Sequence, residues 1–228
     1  MYAPVNINPN TVAVLPIKEF SSAKSRLADA VGANHRRALA EAMYSDVIRA
    51  IRHSQAIDRV LIVTSDLTAA AIADDDNVTI VEDRGASHSE SAAQGLAVAI
   101  ELGAEQVVFI AGDCPLVTSA ELDQLLAHPA PGPRSALIVP DRHQTGTNAL
   151  VLRPPDAMTP SFGEGSRGRH FRLAQEQGAV PEVVEVRGLG LDVDTAEDLA
   201  ALRVALSEIR GGAAHTRGLL AQLDRSIG

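Results

Sequence analysis

Hydrophobic and polar positions along the 228-residue chain fall into two alternating textures. Short runs with almost no charge, rich in Val, Ile and Leu, occur at Thr11 to Ile17 (TVAVLPI), Arg59 to Thr64 (RVLIVT), Val78 to Val81 and Gln106 to Ala111 (QVVFIA). They read as strands buried on both faces of a parallel sheet. Between them the spacing is helical. From His35 to Ser54, Leu39, Met43, Val47 and Ile51 recur every four residues as a core-facing stripe, with Arg36, Arg37, Glu41 and Arg49 mostly off it. Ser65-Asp66 is placed to cap a short alanine-rich helix, Leu67 to Ala73. Ser87 to about Leu102 reads as a helix stopped by Gly103, and Thr118-Ser119-Ala120-Glu121 carries a capping-box pattern. Strands alternating with helices imply right-handed βαβ units.

After Pro129-Ala130-Pro131-Gly132-Pro133 the pattern changes. Ser135 to Val139 and Asn148 to Leu152 are strand-like, and the connection Asp141 to Thr147 is too short for a helical crossover. Antiparallel pairing and a mixed sheet follow. A helix is expected from about Arg169 to Gln177 and a strand from Val180 to Val186. Leu191 to Asp194 then leads into a helix that Thr195 or Asp194 could cap. The expected organisation is one α/β domain over residues 11–210, an N-terminal extension over 1–10, and a C-terminal tail over 211–228 with one amphipathic helix at most.

Composition narrows the picture. Aromatic residues make up 3% of the chain and Trp is absent, so the core must be built from Ala, Val, Leu and Ile. A net charge of −9 argues against a nucleic-acid partner, because such binding depends on Lys and Arg neutralising phosphates. Cys114 is the single cysteine, which excludes an internal disulfide and a cysteine-rich zinc site and fits a reducing, cytoplasmic setting. Met1 to Asn10 lacks the regions of a signal peptide, and no apolar run approaches the roughly 20 residues of a membrane span, so no membrane partner is expected.

The candidate chemistry gathers where strands end. Gln106 to Ala111 stops at Gly112-Asp113, and Pro115 prevents the ladder from continuing. Asp113 is therefore either a turn aspartate or a carboxylate at the ligand-binding edge of an open sheet, where it would hold a divalent metal against nucleotide phosphates. The loop after the first strand carries Lys18, Lys24 and Arg26 with several serines, which makes it either a solvated loop or an anion cradle at that same edge. Asp192 and Asp194 stand two residues apart in an extended stretch and point to one face. They are either a solvated pair or, with Asp113, a set of hard oxygen ligands suited to Mg²⁺. Asp74-Asp75-Asp76 reads as a solvated turn. Gly163-Glu164-Gly165-Ser166-Arg167-Gly168 matches G-x-G-x-x-G, but its late position, after Pro154, Pro155 and Pro160, argues against a dinucleotide fingerprint. Its glycines, with Ser166 and a helix just beyond, suit a phosphate or carboxylate instead. His143 and His170 read as surface or loop histidines, and Cys114 as a small buried side chain rather than a nucleophile.

Taken in order, Val14-Leu15-Pro16-Ile17-Lys18, Ala23-Lys24-Ser25-Arg26-Leu27, Gly146-Thr147-Asn148-Ala149-Leu150, Phe162-Gly163-Glu164-Gly165-Ser166 with His170, and Asp192-Val193-Asp194-Thr195 resemble the 2-phospho-L-lactate/phosphoenolpyruvate guanylyltransferase family of coenzyme F-420 biosynthesis. The resemblance spans about Thr11 to Leu206. It implies a Rossmann-like nucleotidyltransferase fold related to the glycosyltransferase A type, with a mostly parallel, mixed central sheet. The implied reaction transfers GMP from GTP to the phosphate of a small phosphorylated carboxylic acid and releases pyrophosphate. By match of motif, Asp113, Asp192 and Asp194 would hold Mg²⁺, and Thr147, Gly163 and Ser166 would bind the acid. Lys18, Lys24 and Arg26 would face the triphosphate; Lys18, Lys24 and Asp113 would be the catalytic set. Leu15, Pro16, Glu90 and Ser91 would complete the nucleotide site. A homodimer is a family-level implication. Gly112-Asp113-Cys114-Pro115 and Ser89-Glu90-Ser91-Ala92 depart from the family's usual Ala-Asp-Leu-Pro and Asn-containing helix start.

Phosphoenolpyruvate is the expected acceptor, with 2-phospho-L-lactate and 3-phospho-D-glycerate as alternatives. A sugar-phosphate or molybdopterin-type nucleotidyltransferase is disfavoured because the first loop lacks G-x-G-x-R. A non-catalytic nucleotide-binding module is disfavoured by Lys18, Lys24, Asp113, Asp192 and Asp194 occurring together. The chemistry is consistent with the absence of an acid–base dyad. A phosphate monoester with a second pKa near 6 is already largely dianionic at neutral pH and needs no general base to attack.

Overall fold

The computed structural model describes residues 10–22, 24–27 and 32–227. The expected N-terminal extension lies outside them except for Asn10, as does Ala23 of the first-loop motif. Seven strands form one sheet: β1 (Thr11–Pro16), β2 (Arg59–Thr64), β3 (Val78–Glu82), β4 (Gln106–Ile110), β5 (Ser135–Pro140), β6 (Thr147–Arg153) and β7 (Val180–Val183). Their order is β3-β2-β1-β4-β6-β5-β7. β6 runs antiparallel to both β4 and β5, and the other strand pairs are parallel. The mixed sheet expected from the short 141–147 connection is thus present.

Alternate residues of each strand face opposite sides. Ala13, Leu15, Ile62, Val108, Ile110 and Val151 pack against α1 (Ala33–Arg52), α2 (Leu67–Ala73) and α4 (Ser119–Ala127). Val12, Val14, Leu61, Phe109, Ile138 and Leu150 pack against α3 (His88–Glu101) and α5 (Ser166–Glu176). Gly95 allows α3 to lie directly on the sheet, since a Cβ there would fall 2.4 Å from Val14 Cγ1. At about 25 cal/mol per Å² of apolar surface removed from water, these two faces supply most of the driving force for folding.

A third cluster lies beyond the outer side of α1. Leu39 and Met43 meet Leu199, Leu202 and Leu206 of α6 (Ala196–Glu208) and Leu220 and Leu223 of α7 (Ala214–Ile227). The stripe read from the sequence therefore serves two cores, with Val47 and Ile51 on the sheet and Leu39 and Met43 on the helices. The tail expected over 211–228, with one amphipathic helix at most, holds α7, packed on α1 and α6. The buried carboxylate of Asp46 on α1 accepts from the N–H groups of His215 and Thr216 at 3.0 and 2.9 Å and from the Thr216 hydroxyl at 2.7 Å, which caps α7 and ties it down.

Three further boundaries differ. α5 begins at Ser166, three residues before the expected start, because Gly165 adopts φ 68° and turns the chain directly into the helix. β7 ends at Val183, short of Val186. Leu191 to Asp194 joins no ladder, although both aspartates still point one way.

Candidate active site

β1 has β2 on one side and, on the other, β4, which the chain reaches only after returning from β3. Open α/β sheets bind ligands in the crevice above such a reversal, at the carboxyl ends of the strands. An open cleft of about 720 Å³ lies there. Pro16, Lys18, Lys24, Arg26, Asp113, Asp192 and Asp194 line it together with Thr147, Gly163 and Ser166. Leu15, Glu90 and Ser91 do not. Leu15 is packed into the sheet core. Glu90 accepts from the Ala86 and Ser87 N–H groups at 2.5 and 3.3 Å and closes the capping box of α3.

One wall is a balance of cations and carboxylates. The Lys24 ammonium donates to Asp113 and, at 2.9 Å, to Asp194. Its side chain is 6% exposed. Burial pulls its pKa down, but Asp113 and then Asp194 outweigh that and hold it above the ordinary lysine range. Asp192 has no such partner. Burial first, and the Asp113 charge second, push its carboxyl up to about 6, while the Asn148 amide, donating at 3.0 Å, pulls the other way. Among the described residues no three His, Cys, Asp or Glu side chains form a ready-made metal cluster; the three carboxylates share the cleft with Lys24 bonded to two of them.

Lys18 is engaged differently. Its ammonium donates to Asp83 at 2.7 Å, the Gly85 carbonyl at 2.9 Å and the Ser91 hydroxyl at 2.9 Å. An ammonium has three donors, so all are committed to the β3–α3 connection and the first turn of α3. Asp83, whose side chain is 4% exposed, is the anchor. Burial pushes its pKa up, but bonds from Lys18, Ser91 and the Gly85 N–H prevail and hold it below the usual carboxylate range. Lys18 and Ser91 thus belong to one network, and Lys18, whose side chain is 41% exposed, also lines the cleft.

The other wall is polar, with hydroxyls, glycines and the carboxylates of Asp141 and Glu164. Asp141 accepts from the Thr145 and Gly146 N–H groups at 2.8 and 3.0 Å and shapes the β5–β6 turn. Thr147 opens β6 at the rim. The segment expected to cradle an anion does lead into a helix, but two of its donors are already used: Ser166 N–H bonds the Gly163 carbonyl at 3.0 Å and Arg167 N–H bonds the Thr145 carbonyl at 3.1 Å. Arg169 holds the loop from behind through the carbonyls of Ser161, Phe162 and Glu164.

His170 corrects the reading of a surface or loop histidine. It is fully buried, 3.0 Å from Thr147 Oγ1 and 2.9 Å from the Ser161 nitrogen. Burial lowers its pKa to about 4, assisted by Arg169, so it is neutral at physiological pH. His143 is exposed, as expected. Cys114 is buried with its thiol pushed well up by burial and then by Asp113, which fits a packing role and not a nucleophile. Sequence reasoning missed Asp83, Asn148 and the aromatic contacts of Phe162 with His88, Phe109 and His170. The spacing of Ser166 and His170 was a usable signal, since residues i and i+4 share a helix face.

A cleft with a charged wall of lysine and carboxylates facing a hydroxyl-bearing wall at a helix N-terminus, above a strand-order reversal, is the arrangement of a nucleotide-handling α/β enzyme. Solved structures share the fold. A crystal structure from Desulfovibrio desulfuricans G20, named for the nucleotide-diphospho-sugar transferases, superposes with a TM-score of 0.70 at 18% identity and covers 95% of this chain and 96% of its own. The 4-diphosphocytidyl-2C-methyl-D-erythritol synthase of Anaerococcus prevotii DSM 20548 gives 0.59 at 13% identity over 87% of this chain and 96% of its own. The class is therefore the nucleotide-diphospho-sugar transferase fold.

The family model described as "Guanylyl transferase CofC like" matches residues 11–227. A protein of Conexibacter woesei named phosphoenolpyruvate guanylyltransferase is 48% identical over 218 residues, 95% of this chain and 98% of the relative. One of Methanothermobacter thermautotrophicus named 2-phospho-L-lactate guanylyltransferase is 31% identical over 95% of this chain and 92% of the relative. The chain belongs to the CofC-like guanylyl transferase family.

Proposed function

We propose that this protein transfers GMP from GTP to the phosphate of phosphoenolpyruvate and releases pyrophosphate. The observation that carries the choice of acceptor is the 48% identity, over nearly the whole of both chains, to a relative named for that activity. The cleft suits the chemistry. The acceptor phosphate needs no base, and the work left to the protein is alignment of attacking oxygen, α-phosphorus and leaving pyrophosphate, with neutralisation of their charge. In this reading the acid rests against Thr147, Gly163 and Ser166, and the triphosphate lies along the wall of Lys24 and Arg26. Lys18, fully bonded to Asp83, Gly85 and Ser91, fixes the floor between β1 and α3.

Mg²⁺ fits the donor set. Asp113, Asp192 and Asp194 offer hard oxygens to one cleft, where burial first and the Asp113 charge second raise the pKa of Asp192, and a cation there would favour its charged form. Bound there, Mg²⁺ would supply charge neutralisation to the reacting phosphates. The Lys24 ammonium already marks where positive charge is favoured, between Asp113 and Asp194.

The test is pyrophosphate release from each of four nucleoside triphosphates with phosphoenolpyruvate, 2-phospho-L-lactate or 3-phospho-D-glycerate, with Mg²⁺ and with a chelator. Release with GTP and phosphoenolpyruvate, abolished by the chelator, is expected. Release with none of the three acids would overturn the proposal.

A further inference from the structure

His170 has one protonation state compatible with its surroundings. Its Nε2 lies 2.9 Å from the backbone N–H of Ser161, and a peptide N–H only donates. Nε2 therefore carries no proton. A neutral ring with a bare Nε2 holds its proton on Nδ1, and Nδ1 stands 3.0 Å from Thr147 Oγ1. Thr147 must then accept from the ring. Both other forms, imidazolium and the Nε2–H tautomer, would set a ring N–H against the Ser161 N–H. The ring is buried edge-on to Phe162, with centroids 4.9 Å apart, which keeps solvent from replacing either partner.

A hydroxyl has one proton and two lone pairs. With a lone pair of Thr147 taken up by His170, its proton is turned away from the ring, and Thr147 lines the cleft. We propose that His170 is a positioning residue: by donating to the Thr147 hydroxyl it leaves that hydroxyl's proton free to be donated to the anionic acceptor in the cleft. The same ring tethers Ser161, and with it the entry to the Phe162–Gly165 loop. The donor polarity of Thr147 and the seat of the glycine loop are therefore set by one side chain. The proposal rests on the reading that the acid binds against Thr147 and Ser166.

The nitrogen-15 spectrum of histidine-labelled wild-type protein near pH 7 reads the tautomer with no variant needed. A protonated Nδ1 and a bare Nε2 at His170 are expected; the opposite tautomer, or a doubly protonated ring, would overturn the proposal. Kinetics then test its consequence. His170→Leu should raise KM for the acid by about tenfold to a hundredfold, the loss expected for a hydrogen bond to a charged group, with KM for GTP and kcat changed far less. Thr147→Val should do the same, and adding His170→Leu to it should cost little more, since the two act as a unit. His170→Asn, whose amide N–H replaces Nδ1–H, should recover part of the loss. Additive effects of the two substitutions, or no rescue by Asn, would overturn the positioning role. If His170→Leu instead raised KM for GTP while the tautomer stood as expected, the donor role would hold and the assignment of this wall to the acid would fall.

Discussion

Lys24 combines a backbone φ of 60° with an ammonium bonded to both Asp113 and Asp194. A non-glycine residue in the left-handed region is uncommon and is held there by its surroundings. Its carbonyl accepts from the Leu27 N–H at 2.9 Å, and its ammonium ties the first loop to Asp113, just after β4, and to Asp194, just before α6. Asp113→Asn removes one charge from this arrangement and leaves Lys24 bonded to Asp194. Turnover should fall by about a hundredfold to a thousandfold, the scale of losing a main electrostatic contact to the reacting groups. Asp113 is 28% exposed and not a core residue, so the melting temperature should move by less than about 3 °C. Turnover and thermal melts on the same preparation check this; a large melting shift with activity retained would restore the turn-aspartate reading. Asp113, Asp192 and Asp194 were legible as carboxylates at the ends of extended runs. Asp83 and Asn148 were not, because each acts through a partner remote in sequence, Lys18 for one and Asp192 for the other.

Elements were legible where the burial pattern is local. β1, β2, β4 and α1 follow from uninterrupted apolar runs or a four-residue stripe, and the antiparallel β5–β6 pair follows from the length of its turn. The start of α5 was misplaced because a polar sequence with glycines gives no periodic signal, and the helix is set instead by the backbone of Gly165. The role of α7 was hidden for another reason. Its apolar residues match a surface on α1 and α6 far away in sequence, and its cap is Asp46, 169 positions before His215. Asp46→Ala would leave these donors unpaired in a buried setting and should cost about 1–3 kcal/mol. Denaturant titration measures the loss, and kinetics should show unchanged KM values because Asp46 does not line the cleft. Unchanged stability would mean that α7 is held by its apolar face alone.

At the scale of the whole molecule, charge and pH bear on the fold together. His170 has a folded pKa of about 4 against an ordinary 6.5. The unfolded chain therefore takes up this proton first as pH falls, and the stability that His170 provides as a neutral ring is present above pH 6.5 and lost progressively toward pH 4. Asp192 acts in the opposite sense over nearly the same window, because its folded value of about 6 lies above the ordinary 3.8. Asp66, Asp83 and Asp198 are held below 3.8 and withdraw their support only under more acid conditions. In an Asp192→Asn variant His170 and His88, whose pKa burial also lowers, should together set the slope between pH 6.5 and 4, with His170 contributing a loss of at most about 3.5 kcal/mol at 1.4 kcal/mol per pKa unit. Denaturant titrations at half-unit pH steps give the slope; a flat profile would mean that both imidazoles titrate as they do in water. The class of fold and the placing of the cleft were readable beforehand because strand ends announce themselves in sequence. The pairing of Thr147 with His170 was not, since a histidine's surroundings are a property of the folded whole.

Six strands of the sheet run one way and β6 runs the other. Its first residues, Thr147 and Asn148, consequently arrive at the rim where β1 and β4 finish. One wall of the cleft is thus written by strand endings and the other by a strand beginning, each with its own neighbouring loop. On the proposed reading, such a division would let the acceptor side be retuned through the β5–β6 turn and the 161–166 segment while the phosphate side stays as it is. Relatives named for different acids, phosphoenolpyruvate and 2-phospho-L-lactate, are what a frame with two separately adjustable jaws would be expected to produce.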